Sequence, residues 1–150
     1  MSDISDIEQL KYRYMRLLDT KQWDEFATCF SDDATADYGG ITFSSPRELV
    51  DYMRTNLPAE IITMHTVHHP EITVVDGEAT GCWYLHDKVF APAFDFALEG
   101  AAFYEDRYVR TPQGWRIAHT GYQRTWELTT SLKDQPSAKL KGAGGPTTHP

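Results

Sequence analysis

The spacing of apolar residues changes once along the chain, and that change separates a helical part from a strand part. Ile7, Leu10, Tyr14, Leu17 and Leu18 recur at helical spacing, with Ser5 and Glu8 set as a capping box at the start. Asp19, Thr20 and Lys21 interrupt this stripe. Trp23, Phe26, Ala27 and Phe30 begin a second one, so two helices on a short link should form a hairpin around one core. Ser31, Asp32 and Asp33 read as a turn, and residues 34–38 as a short strand closed by Gly39 and Gly40. Ser44, Ser45 and Pro46 start a third helix, with Leu49, Val50, Met53 and Leu57 as its apolar face and Pro58 at its end.

Beyond Pro58 the period is that of strands. Residues 61–69 are rich in Thr, Val and Ile, and Ile72 and Val74 lead through an Asp76-Gly77 turn into residues 79–90. Residues 98–110 and 114–127 make a second hairpin around Thr111 to Gly114. Helices first and an antiparallel meander afterwards give an α+β class, with a curved sheet folded around an apolar pocket. Residues 1–132 form the domain; from 133 to 150 Pro, Gly, Ser, Thr and Lys dominate, as in a flexible tail that could cover the pocket.

Composition narrows the partners. The 150 residues, 41% hydrophobic and 13% aromatic, suit one globular domain. A net charge of −8 argues against nucleic acid and against an anionic membrane surface, and favours a small molecule of little charge. Cys29 and Cys82 are too few for a disulfide framework or a thiolate metal site. The acidic start of the chain lacks the basic and apolar regions of a signal peptide, so a cytoplasmic location is expected.

Several polar residues stand where an apolar stripe would not need them. Asp19 follows Leu17 and Leu18 at the end of the first stripe, against the helix dipole; the alternative is a helix-ending Asp that faces water. Tyr14 lies five residues earlier, about 140° around an unbroken helix. Only an earlier helix end would bring both into one cavity. His65, His68 and His69 invite a zinc site, but their spacing is not that of a zinc hydrolase, and no metal is expected. On a regular strand His65 and His69 share a face and His68 takes the other. Asp87 shares a strand face with Trp83 and Leu85, a costly place for a charge unless it is paired or wet. Tyr38, Tyr104, Tyr122 and Arg124 suit a pocket wall or equally a core edge. Arg124 could bind a substrate carboxylate or pair with Glu105 or Glu127. No phosphate loop, nucleophile elbow or Cys/His nucleophile is present.

These segments carry a resemblance. Residues 7–24 and 30–34, then His65 through Ile72, Trp83 through Asp87, Tyr104 through Tyr108, Gly114 through Ile117 and Arg124 through Trp126 resemble SnoaL-like proteins of the nuclear transport factor 2-like superfamily. The resemblance implies a cone-shaped α+β barrel with N-terminal helices enclosing a pocket, no cofactor, and a homo-oligomer, a dimer or trimer. Within the group the chain is similar to scytalone dehydratase, bile-acid 7α-dehydratase and hexachlorocyclohexane dehydrochlorinase, where a helix-end Asp and a strand His remove a proton. Asp19 and His65 match those positions. Tyr38 matches a pocket tyrosine, Tyr14 and Asp87 two further site residues, and Arg124 a late arginine.

The expected function is therefore a cofactor-independent lyase acting as a dehydratase on a hydroxylated cyclic, polyketide- or steroid-like compound. His65 would be the base, Asp19 its orienting partner, Tyr14 or Tyr38 the oxyanion donor, and Asp87 a further polar contact. Trp83, Tyr104 and Arg124 would join Tyr38 in holding substrate. The competing expectation is a binding or oligomer-scaffold protein without turnover. An isomerase or cyclase using the same dyad also begins with proton abstraction.

Overall fold

Ser2, rather than Ser5, starts the first helix. Its side chain accepts the Ser5 amide at 3.2 Å, and Asp3 and Asp6 in the first turn meet the positive end of the helix dipole. The structure, a computed structural model, describes residues 2–142. Helix α1 (Asp3–Asp19) buries Ile7, Leu10, Lys11, Tyr14, Met15, Leu17 and Leu18. It stops where Lys21 turns left-handed at φ 57°, and the short α2 (Trp23–Ala27) follows. Helix α3 (Pro46–Asn56) has a variant of the box: Ser45 Oγ accepts the Glu48 amide, and the Glu48 carboxylate accepts from the N–H and Oγ–H of Ser44, one residue before the cap.

The strands are β1 (Phe30–Tyr38), β2 (Ile41–Phe43), β3 (Ile62–Val75), β4 (Glu78–Ala91), β5 (Phe96–Thr111) and β6 (Gly114–Thr130). They form one mixed sheet in the order β2-β1-β6-β5-β4-β3. The sheet is open, with β2 and β3 at its edges, so the cone does not close into a barrel. All neighbouring pairs are antiparallel except β1 with β6, which run parallel.

Two local expectations give way to sheet pairing. Ser31, Asp32 and Asp33 belong to β1, in the irregular stretch between its Phe30–Ile117 and Thr35–His119 pairs, and are not a free turn. In β3, His69 and Pro70 together oppose Trp83 alone, because His68 pairs with Tyr84 and Glu71 with Cys82. This bulge, with His69 at φ 27°, shifts the alternation by one residue. His69 therefore packs on Tyr84 on the outer face, and the shared face expected for His65 and His69 does not form.

The helices cover the inner face of the sheet. Phe26, Leu17, Leu18, Leu49, Leu85, Tyr104 and Ile117 are among the buried side chains of one core cluster. None of the described helices is long and apolar enough to cross a membrane. After β6 the chain is anchored by the Lys133 amide donating to Asp95 (2.8 Å), and Gly142 lies against Ile62. Ile62 is on the opposite face of β3 from His65. Residues 143–150 of the expected tail lie outside the described residues.

Candidate active site

Asp19, on the last turn of α1, meets the start of β3. Alternation along that strand puts Thr63 and His65 on one face, and both turn toward Asp19. Oδ1 accepts from Thr63 Oγ1 at 2.9 Å and lies 2.7 Å from His65 Nδ1; Oδ2 accepts the His65 amide at 2.7 Å. A carboxylate engaged by three such groups is fixed in position. Because it is acceptor-only, the hydrogen of the neutral imidazole sits on Nδ1, and Nε2 keeps its lone pair. The helix continues to Asp19, so the offset from Tyr14 holds. Tyr14 and His65 line a common cavity, and Asp19 stands behind His65.

The β3–β4 register places Asp87 directly opposite His65. Asp87 is 2% exposed and its charge is met by a bidentate pair with Arg124, at 2.6 and 2.8 Å. Arg124 Nε also lies 3.2 Å from Glu127, and the bonds to Asp87 hold the guanidinium pKa above its ordinary value. The guanidinium fork is thus spent on protein carboxylates, which leaves it poorly placed to grip a substrate carboxylate. Both oxygens of Asp87 are engaged as acceptors, so Asp87 holds Arg124 against the cavity.

The remaining wall is phenolic. The Tyr14 and Tyr38 hydroxyls are in direct contact, the Tyr14 and Tyr104 rings meet edge to face at 6.1 Å, and Tyr38 stacks on Tyr122 at 5.3 Å. Burial pushes the Tyr14, Tyr38 and Tyr104 phenols above their ordinary range. They are neutral hydrogen-bond donors at any physiological pH. With Leu18, Met53 and Val89 they line a partly open cavity of about 210 Å³.

Seven of the eight residues expected at the site gather here: six line the cavity and Asp19 braces one of them. Trp83 is the exception. It lies two positions beyond Leu85 on the same face of β4, under α1, where its Nε1–H donates to Tyr108 at 2.9 Å and its ring meets Tyr12. Two residues escaped sequence reasoning. Lys11 is fully buried with its Nζ 2.7 Å from Asp106, and Gly100 supports the path of Arg124 to Asp87. A lysine inside an apolar helical stripe was the only sign of the first. A groove of about 450 Å³ on the other face passes Phe103, Glu105 and His119, but lacks the carboxylate–histidine pair.

Comparison with known proteins agrees with this architecture. A family model described as a SnoaL-like domain matches residues 1–121. An uncharacterised protein of Mycobacterium tuberculosis (strain H37Rv) is 30% identical over 124 residues, covering 78% of this chain and 82% of its own. Among solved structures, a type 2 hexachlorocyclohexane dehydrochlorinase superposes with a TM-score of 0.77 at 19% identity, covering 85% of this chain and 88% of that one. A Novosphingobium aromaticivorans protein named for scytalone dehydratase superposes with a TM-score of 0.76 at 17% identity, over 98% and 94%. These last two are likenesses of fold.

Proposed function

From the premise that this chain belongs to the SnoaL-like family, we propose that it is a cofactor-independent lyase removing water from a small hydroxylated cyclic ketone. The observation that carries this reading is the Asp19–His65 pair, whose geometry leaves a basic Nε2 on an imidazole that lines a largely apolar cavity. His65 takes a proton from the carbon beside the carbonyl, and the electron pair moves onto the carbonyl oxygen. Asp19 stabilises the imidazolium that results. Tyr14 or Tyr38 donates to the enolate oxygen. Collapse of the enolate forms the carbon–carbon double bond and expels the β-hydroxyl, which leaves as water with the proton carried by His65. The base returns to its starting state and no oxidant or metal is consumed.

Cavity size and charge refine the substrate. A volume of about 210 Å³ exceeds the roughly 150 Å³ that holds benzene but falls below the range of about 300 Å³ upward for drug-sized ligands. That favours one or two rings over a four-ring steroid. Arg124, the cation lining the cavity, is paired with Asp87, which favours a neutral ligand. The dehydrochlorinase and the protein named for a dehydratase add support by sharing the fold.

The test is a screen of β-hydroxy cyclic ketones, 3-hydroxycyclohexanone and 3-hydroxy-1-tetralone first, followed by ultraviolet absorbance of the unsaturated product. His65→Ala and Asp19→Asn should each lower turnover by about 10²–10⁴-fold while leaving the far-ultraviolet circular dichroism of the folded protein unchanged. Turnover that survives both substitutions would remove the dyad from the mechanism. Exchange of α-protons with deuterated water, without loss of water, would point instead to an isomerase or cyclase. Ligand binding with neither exchange nor elimination would make the protein a binding module.

A further inference from the structure

A charged pair lies behind the phenolic wall, and the reaction as written does not use it. Lys11 on α1 and Asp106 on β5 are both fully buried, with Nζ 2.7 Å from Oδ2. Asp106 also accepts from Tyr108 and from Thr120, each at 2.7 Å, and Tyr108 in turn accepts from Trp83 at 2.9 Å. Desolvating both members of an ion pair is expensive, and apolar residues of similar volume are often as good or better for stability. The pair has a second set of neighbours, however. The ammonium lies 3.5 Å from the centroid of the Tyr104 ring and 4.3 Å from that of Tyr14, both walls of the cavity.

The geometry points to Lys11 as a positioning residue: its ammonium, held by Asp106 against the rings of Tyr14 and Tyr104, strengthens Tyr14 as a donor to a developing oxyanion. A cation over an aromatic face in a dry setting is attracted by the ring, and a phenol that ionises or shares its proton gains from it. Asp106 opposes this effect from behind. It touches Nζ, whereas the positive end of the pair faces the rings. Tyr14 is faced by Tyr38 from β1, by Tyr104 from β5 and by Lys11 from its own helix, with His65 and Asp87 on the other cavity walls. This inference rests on the reading of Tyr14 as an oxyanion donor.

The experiment replaces Tyr14 by 3,5-difluorotyrosine, whose ionisation falls in a workable range, and follows it by absorbance in three backgrounds. Relative to the otherwise unchanged protein, Lys11→Met should move the ionisation of residue 14 upward by about one pH unit. Asp106→Asn, which keeps an acceptor for Thr120 and removes the opposing charge, should move it downward while Lys11 stays protonated, a state read from the nitrogen-15 shift of Nζ. Shifts of opposite sign are not the result of a merely structural pair. Identical ionisation in all three proteins, or shifts of the same sign, would overturn the role of Lys11. If Lys11→Met does not fold, the downward shift in Asp106→Asn still decides, since its absence would sink the proposal. The readout needs no turnover. Opposite shifts beside a failed ketone screen would therefore overturn the lyase reading and leave the effect of Lys11 on the phenol standing.

Discussion

Arg124 reaches Asp87 by lying across Gly100. The two charged residues are on β6 and β4, and Gly100 on the intervening β5 pairs with Asp87. A Cβ on residue 100 would sit 2.5 Å from Arg124 Nη1 and 3.0 Å from the Trp126 carbonyl oxygen. The glycine is required for close approach of a side chain, not for an unusual backbone angle. Gly100→Ala should therefore displace the guanidinium, leave Asp87 without its partner and lower stability by about 3–5 kcal/mol, as breaking a buried pair does. Urea unfolding measures this. A loss under about 1 kcal/mol, the range of an ordinary surface change, would mean that Arg124 moves aside at little cost.

Asp19 sets the tautomer of His65. Its Oδ1 is 2.7 Å from Nδ1, and the same carboxylate takes the His65 amide. In protein labelled with nitrogen-15 at histidine, the neutral His65 ring should show a protonated Nδ1 and a bare Nε2. Asp19→Asn should convert this into a mixture of tautomers, because an amide can donate as well as accept. An unchanged Nδ1–H tautomer in the variant would show that another group fixes the ring.

Contacts between distant parts of the chain explain what the sequence did and did not disclose. Helices α1 and α3 were legible because their stripes and starts are local, although Ser2 took the capping role expected of Ser5. The Asp19–His65 pair was legible as two separate anomalies plus a resemblance, since nothing local joins a helix end to a strand 46 residues on. The outward turn of His69 depends on a bulge, and alternation alone predicts the opposite face. Lys11 and Gly100 owe their roles to Asp106 and Arg124, partners far along the chain. The parallel pairing of β1 with β6 is hidden in the same way.

The Tyr14 and Tyr38 hydroxyls share one buried hydrogen bond. Replacing either by Phe leaves the other hydroxyl without that partner, at a cost of about 1–3 kcal/mol. Replacing both removes the two polar groups together, so the double variant should lose clearly less than the sum of the single losses. Denaturation of the four proteins closes the cycle. Additive losses would show that the hydroxyls do not act as a pair.

Four buried phenols, Tyr14, Tyr38, Tyr104 and Tyr108, have pKa values raised by desolvation, which sets the response to alkali. In the unfolded chain each ionises near pH 10, whereas the folded protein holds the proton to higher pH. Above pH 10 the native state therefore binds more protons, and stability falls as pH rises. It is complete below pH 10. Each phenol removes roughly 1.4 kcal/mol per further pH unit, about 5.5 kcal/mol per unit for the four. Lys11 works in the other direction only up to its unfolded pKa of about 10.4, because burial lowers its folded pKa and above that value both states have lost the proton. It is one group against four. Against the usual stability of about 5–15 kcal/mol, the protein should unfold within about one to three units above pH 10. Tyr104→Phe should make the decline shallower by roughly 1.4 kcal/mol per unit. Urea unfolding at pH 8, 10 and 11 tests both, and a stability that stays flat through pH 11 would mean that these phenols ionise in the folded protein as they do in water.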